Sequence, residues 1–381
     1  MQNANLHTVK GKQQFGRFNG GSHRPLMAMV EVTNRCNMTC PLCFTRANNA
    51  AEDVSLDEVK TRLDNLLAVA GSIPLQISGG EPTLHQDLPA IINYARQLGF
   101  TNIELITNGI RLSREKDYLS RLVEKGLTSV YLQFDGLEKN THETIRGQDM
   151  TEVREKSIAA IRRQQLCCTL AVAVTPGVND HELGNIVRFG IANIDTIRAI
   201  NFQSAARFTG RFEITEAGTG FSLSSLIQLI EAQSHIEEGG FSSNILGHPQ
   251  CNAMSLVYII DGALKPLFNY LTDDRLMNYL GKDKRTKILD LFSGRDRFYR
   301  KYLADPKAWK LLLEAAAIFG DRPSMKSILS ARHILLFAKS FMEKDTLQPD
   351  RVERCNYAIA KTDGVYSFCA YNNLYRFKSK N

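Results

Sequence analysis

An α/β fold built on a parallel sheet is what this 381-residue chain predicts over its first half. Two observations carry that expectation. Short apolar runs alternate with amphipathic helical patterns from about Met27 to Arg211. The runs lack regular polar alternation, which is the pattern of strands covered by helices on both faces. A third observation sets its limit, because the rhythm changes after about Arg211. Six β–α units are compatible with a doubly wound sheet or a barrel, and periodicity does not separate the two.

The strands are expected at Leu26–Val32, Pro74–Ser78, Asn102–Thr107, Ser129–Phe134, Thr169–Thr175 and Ala199–Ser204. The first helix should start after Ser55, an N-cap with Glu58 three residues on, the spacing of a capping box. "LPAIINYARQLG" closes on Gly99, a residue suited to follow a helix C-terminus. "DYLSRLVEKG", "EVREKSIAAIRRQQ" and "HELGNIVRFGI" complete the helices of this half. Beyond it, "LSSLIQLIEAQ", "AWKLLLEAAAIF" and "SMKSILSARHILLFAKSF" read as helices, the last with a broad apolar face about Ile334–Phe341 that core packing explains. "SLVYII" followed by Asp261-Gly262 reads as a strand entering a turn. The expected division is a flexible segment over residues 1–25, an α/β core over 26–215 and a mainly helical region over 216–381.

Composition narrows the function classes. The net charge of +7 is mild for this length. "KDKRTK" at Lys282–Lys287 comes without an aromatic platform, so a solvated surface is expected there and no nucleic-acid partner. No signal peptide and no membrane-spanning run is evident, which predicts a cytoplasmic chain. Eight cysteines in such a chain point to metal or redox chemistry rather than disulfides.

Three of them, Cys36, Cys40 and Cys43, lie in "CNMTCPLC" directly after the first strand. In a barrel or an open α/β sheet, that end of the strands is the active face. Structural zinc sites pair two close cysteines with a distant pair, and ferredoxin loops use shorter spacing and a fourth cysteine. Three thiolates instead leave one iron of a [4Fe–4S] cube open to another ligand. "ISGGEPTLH" follows the second strand and puts Gly79, Gly80 and Glu81 on the same face. The paired glycines allow close approach to the backbone, and Glu81 can accept from an ammonium group.

Together, "CNMTCPLC" and "SGGEPTL" resemble the radical SAM superfamily. That resemblance implies a partial (β/α)6 TIM-like barrel over about Met27–Arg211. It implies a [4Fe–4S] cluster on the three cysteines, with S-adenosylmethionine chelating the open iron. It also implies reductive cleavage to a 5′-deoxyadenosyl radical that abstracts hydrogen from substrate. The position before the third cysteine is often aromatic in the family and here is Leu42. The resemblance assigns cofactor contacts to Gly79, Gly80, Glu81, Asn108, Asp135 and Gln203. Asp135 would accept from ribose hydroxyls, and Val174–Asp180 would flank adenine. Ser204 and Arg211 are further substrate- or carboxylate-binding candidates.

A second set of cysteines occupies the last third. Cys251 in "GHPQCNA" and Cys355 and Cys369 in "RCNYAIAKTDGVYSFC" resemble the C-terminal segment of a subgroup. That subgroup holds the 7,8-dihydro-6-hydroxymethylpterin (class D) methylases and the tetraether lipid synthases. The likeness implies an auxiliary [4Fe–4S] cluster, with His248 a candidate fourth ligand. Relatives there carry a Cys-rich N-terminal segment, whereas the first thirty-five residues here contain no cysteine. Cys167 and Cys168 are adjacent, so their side chains point to opposite faces and make poor joint ligands. The implied reaction is functionalisation of an unactivated C–H bond, by C–C bond formation or methyl transfer on a lipid- or pterin-like substrate. Its electron donor would be a flavodoxin or ferredoxin. A SPASM-like peptide maturase, usually richer in C-terminal cysteines, and a non-catalytic iron–sulfur carrier are the rival readings.

Overall fold

The computed structural model describes residues 15–21, 23–214, 220–292, 305–315, 318 and 332–377. Among the described residues fourteen strands run in chain order: β1 (Arg17–Phe18), β2 (Met27–Thr33), β3 (Leu42–Cys43), β4 (Leu75–Gly79), β5 (Ile103–Thr107), β6 (Ser129–Gln133) and β7 (Cys167–Val174). They continue with β8 (Ile197–Ser204), β9 (Arg211–Phe212), β10 (Asn252–Ile260), β11 (Ala263–Pro266), β12 (Arg332–Lys339), β13 (Tyr357–Lys361) and β14 (Gly364–Ser367). Twelve join one sheet in the order β1-β14-β13-β2-β4-β5-β6-β7-β8-β12-β10-β11. The expected strands β2, β4, β5, β6, β7 and β8 stand side by side in it and pair in parallel.

Two strands from the C-terminal third extend this parallel core. β12 pairs with β8, and β13 pairs with β2 at the other edge. The sheet curls far enough to bring these two flanks together. Lys339 Nζ on β12 lies 5.2 Å from the ring centre of Tyr357 on β13. The barrel thus closes through side chains and encloses an interior.

Burial alternates with strand periodicity. On β12, Ile334, Leu336 and Ala338 are fully buried against the outer layer, while Leu335, Phe337 and Lys339 point inward. Here the helix expected over "SMKSILSARHILLFAKSF" is corrected. Residues 332–339 form a strand, residues 340–341 follow it, and 324–331 lie outside the described residues. A continuous apolar run carries no usable period, so pairing with β8 and β10 decides its state.

Around the sheet pack α1 (Leu56–Ala70), α2 (Leu88–Gln97), α3 (Ile110–Arg114), α4 (Tyr118–Glu124), α5 (Lys139–Arg146), α6 (Thr151–Arg163) and α7 (Leu183–Ala192). Leu63 and Leu66 of α1, Ile91 and Ile92 of α2 and Ile161 of α6 are fully buried in the same core as Val30, Ile77 and Leu105 of the strands. Ser55 caps α1 by accepting from Glu58 N at 3.3 Å. The Glu58 carboxylate does not complete the capping box and accepts from Arg62 and Thr362 instead. The expected helices at 223–234 and 306–315 are present, with residues 316, 317 and 319 of the latter pattern outside the described residues.

The N-terminal segment expected to be flexible over 1–25 is ordered in part. Arg17 and Phe18 pair with Tyr366 and Val365, and residues 1–14 lie outside the described residues. The two chain ends also meet through Glu31. Its buried carboxylate accepts from Arg376 at 2.6 Å and from Lys361 at 3.0 Å. Among the described residues no helix is long and apolar enough to cross a membrane.

Candidate functional site

The loop from Asn34 to Ala47 leaves β2 and is pinned at both ends. Arg35 pairs with Asp53 at 2.8 Å and donates to Leu84 O at 2.6 Å. Cys36 N donates to Asn48 O. Cys43 on β3 pairs with Arg211 on β9, and the Arg211 guanidinium donates to Cys40 O and Ala47 O. Arg211, a substrate-side candidate in the sequence, is therefore spent on holding this loop's backbone.

Gly79 and Gly80 have a more specific reason than ligand access. A Cβ on Gly79 would sit 2.3 Å from Thr33 O, and Gly79 adopts φ +147°. A Cβ on Gly80 would sit 2.1 Å from Arg35 O. Both are backbone oxygens at the root of the cysteine loop, so no side chain fits without moving that loop. Gly80 N and Glu81 N donate to the same two carbonyls.

Glu81 is 1 % exposed. It accepts from Thr83 N, Thr83 Oγ1, Thr107 Oγ1 and Asn108 N, all uncharged donors. Burial raises its carboxyl above the ordinary range, and these hydrogen bonds only partly oppose that. One lone pair of Oε2 remains for a further donor. Asn108 spends its side-chain amide on Asn37 Oδ1 at 2.8 Å and on Ile110 N.

Asp135 departs from its expected role. It is fully buried at φ +63°. Its carboxylate accepts from Arg146 at 2.7 and 2.8 Å, from Arg154 at 3.2 Å and from Ala173 N at 3.1 Å. Burial alone would raise its pKa, but the Arg146 and Arg154 charges outweigh that and hold it below the usual range. The expectation of a ribose acceptor is corrected here, because both carboxylate oxygens are already saturated. Arg146, which the sequence reading missed, lines the cavity and reaches the Cys40 thiol. Its signal was local: Arg146 ends α5, the helix that follows the Asp135-Gly136 turn.

Cys36, Cys40 and Cys43 line one cavity of about 160 Å3 with Gly79, Gly80, Glu81, Asn108, Gln203 and Ser204. Burial pushes the Cys36 thiol up to about 12 and raises Cys40 as well, against the pull of Arg146. Cys36 and Cys40, which resist ionisation alone, become thiolates when a metal supplies positive charge. The donor set thus fits an iron–sulfur cluster, and the uncharged shell around Glu81 fits the ammonium of an amino-acid cofactor.

A second cavity of about 310 Å3 lies towards the strand N-termini. Cys251, Cys355 and Cys369 all line it, so the fold joins residues more than a hundred positions apart. Arg351 Nε donates to Cys251 Sγ at 3.3 Å. Burial raises all three thiols, Cys355 to about 11. His248 does not join them. Its Nε2 faces Asp350 at 3.1 Å, and its Nδ1 accepts from Gln250 N. Cys167 borders this cavity while Cys168 is buried in the core, the opposite facing expected. Tyr131, Tyr357, Phe341 and Phe368 line both cavities.

The second cavity also gathers residues that the sequence reading passed over. Gln76, Glu104, Tyr131, Thr169, Asn201 and Lys339 line it. Their signal was a polar side chain in the middle of each largely apolar run.

The family model of the radical SAM superfamily matches residues 30–190. The chain is 30 % identical to the 7,8-dihydro-6-hydroxymethylpterin dimethyltransferase of Methanocaldococcus jannaschii, over 92 % of this chain and 77 % of that protein. It is 30 % identical to the PqqA peptide cyclase of Bradyrhizobium diazoefficiens, over 47 % of each chain, so it spans about half of that relative. Among solved structures, Streptococcus suis SuiB bound to S-adenosylmethionine aligns at 19 % identity and a TM-score of 0.44, over 55 % of this chain and 47 % of that one.

Proposed function

Because the chain belongs to the radical SAM superfamily, whose enzymes use a [4Fe–4S] cluster and S-adenosylmethionine, we propose that it functionalises an unactivated C–H bond of a pterin-like substrate by methyl transfer. One observation carries the reading: the three-cysteine loop and Glu81 share a cavity that adjoins a second cavity, mostly apolar with a few buried polar groups and bordered by three more cysteines.

Cys36, Cys40 and Cys43 would hold the cluster, and Glu81 would hold the cofactor's ammonium. When bound, the pair supplies one-electron cleavage of the sulfonium and with it hydrogen abstraction from carbon. The protein's part is positioning. Gly79 and Gly80 let the loop seat against the end of β4, and Arg211 and Arg35 clamp its backbone. Arg146, fixed by Asp135, places positive charge on the Cys40 sulfur. Gln203 lines the same wall and donates to Tyr131 Oη at 2.6 Å. Cys251, Cys355 and Cys369 would hold an auxiliary cluster beside the substrate. Tyr131, Tyr357, Phe341 and Phe368 form the boundary across which cofactor and substrate would meet.

Similarity to a pterin dimethyltransferase over most of both chains supports this substrate class. A few polar side chains set among its apolar walls support it over a lipid, since an acyl chain would offer no donor to Glu104 or Asn201. The test is anaerobic incubation of reconstituted protein with S-adenosylmethionine, dithionite and 7,8-dihydro-6-hydroxymethylpterin. Formation of 5′-deoxyadenosine together with a methylated pterin is expected. Absence of 5′-deoxyadenosine would overturn the radical reading, and its formation without pterin product would overturn the substrate class.

A further inference from the structure

The second cavity presents one acceptor with no donor, Asn201 Oδ1, and one buried carboxylate with few and mostly long contacts, Glu104. Glu104 projects into it from β5. Its Oε2 accepts from Gln76 Nε2 at 2.6 Å, while Oε1 receives only long contacts from Thr169 at 3.3 Å and Ser129 at 3.5 Å. Gln76 is in turn fixed by Tyr357 Oη, which donates to its Oε1 at 2.5 Å. Oε2 of Glu104 therefore keeps room for a further donor, and the long contacts on Oε1 are weak enough to yield to one. Asn201 is 4 % exposed and borders the same cavity, and its Oδ1 has no hydrogen-bond partner. A buried acceptor left in that state is destabilising unless a ligand satisfies it.

Shape narrows the ligand. At about 310 Å3, part of it left beside Cys251, Cys355 and Cys369 for the proposed cluster, the cavity has room only for a compact ligand. Leu335, Phe337, Tyr131 and Tyr357 give it apolar and aromatic walls, which suit a flat ring. A phosphate or a carboxylate brings only acceptors to Glu104 and Asn201, and an acyl chain brings neither acceptors nor donors. A compact ring with adjacent N–H donors on one edge meets both demands.

We propose that Glu104 is the specificity-determining residue of the substrate chamber and pairs its carboxylate with the adjacent ring N–H and exocyclic NH2 of a 2-amino-4-oxopyrimidine edge. Asn201 Oδ1 accepts the second N–H of the same amino group. Lys339, on the adjoining wall, supplies a donor for the ring carbonyl. The inference rests on the substrate class proposed above and adds how that class is read. Bidentate acceptance by a carboxylate rejects a ring whose amino group is replaced by oxygen, because acceptor would then face acceptor.

The test is an anaerobic fluorescence titration of the reconstituted protein with pterin and with lumazine, its 2,4-dioxo counterpart. Pterin should bind at least about ten-fold more tightly than lumazine, the difference one charge-assisted hydrogen bond makes. Glu104→Gln should weaken pterin binding by a similar factor and narrow the preference, with S-adenosylmethionine binding unchanged as the check on folding. Asn201→Ala should weaken pterin binding several-fold. Equal affinity for the two rings in the wild type, no pterin binding, or unchanged pterin binding in Glu104→Gln would each overturn the assignment. Selective pterin binding supports it whether or not 5′-deoxyadenosine forms, so the radical reading fails or stands separately.

Discussion

Replacing Asp135 with Asn separates two roles that the sequence alone cannot tell apart. Asn keeps the side-chain shape and tolerates the left-handed backbone at φ +63°, so the perturbation is the loss of one negative charge. That charge stands between two buried guanidiniums, Arg146 at 2.7 Å and Arg154 at 3.2 Å. Arg154 is already strained by burial, which pulls its pKa down to about 10 against the attraction of Asp135. Removing one partner from a buried ion pair destabilises by about 3–5 kcal/mol. The Asn carbonyl still accepts one hydrogen bond, which favours the lower end, about 3 kcal/mol. For a chain of this size that is a fall in Tm on the order of 5 °C. Thermal melting of metal-free protein measures it directly. A variant that melts with the wild type yet binds S-adenosylmethionine more than about ten-fold more weakly would refute the positioning role. It would restore Asp135 as a direct acceptor for ribose.

Gly80→Ala drives a methyl group into Arg35 O at 2.1 Å. Overpacking against backbone should lower stability by about 1–3 kcal/mol and reduce iron uptake on reconstitution, read by melting and by iron analysis. The Glu31 triad predicts a pH dependence. Burial would raise the Glu31 carboxyl, but Arg376 and Lys361 hold it well below the usual range. Its contribution is therefore full above the unfolded carboxylate pKa of about 4.3 and is lost as pH falls below it. Glu31→Gln should flatten the stability profile between about pH 5 and pH 3, measured by denaturant unfolding across that window. A variant profile parallel to the wild type there would exclude the triad as the acid-sensitive element.

Much of the architecture was legible because parallel strands covered on both sides write themselves as apolar runs. The six core strands came from that pattern, and the cysteine loop and Gly79-Gly80-Glu81 came from their positions at strand ends. What sequence missed has a common cause, since it depended on which strands become neighbours. Arg332–Lys339 has the composition of a buried helix as much as of a strand, and only pairing with β8 and β10 decides. Glu104 and Asn201 are polar residues within largely apolar runs, meaningful only once the sheet curls and their faces converge. Gly79 and Gly80 were read as making room for a ligand, yet the nearest obstruction is the protein's own backbone at Thr33 and Arg35. Asp135 was read as a ribose acceptor, and its partners Arg146 and Arg154 lie on helices whose approach the sequence does not specify. The second cysteine triad was found through its likeness to a subgroup, and the fold brings its three members to one wall.

The central claim is that two cysteine triads build two separate iron sites, of which the first alone serves S-adenosylmethionine cleavage. The most direct measurement is iron content and 5′-deoxyadenosine formation on the same reconstituted sample of Cys40→Ala. The account predicts no 5′-deoxyadenosine, with about half of the wild-type iron retained by Cys251, Cys355 and Cys369. Continued 5′-deoxyadenosine formation, or loss of all iron, would contradict it.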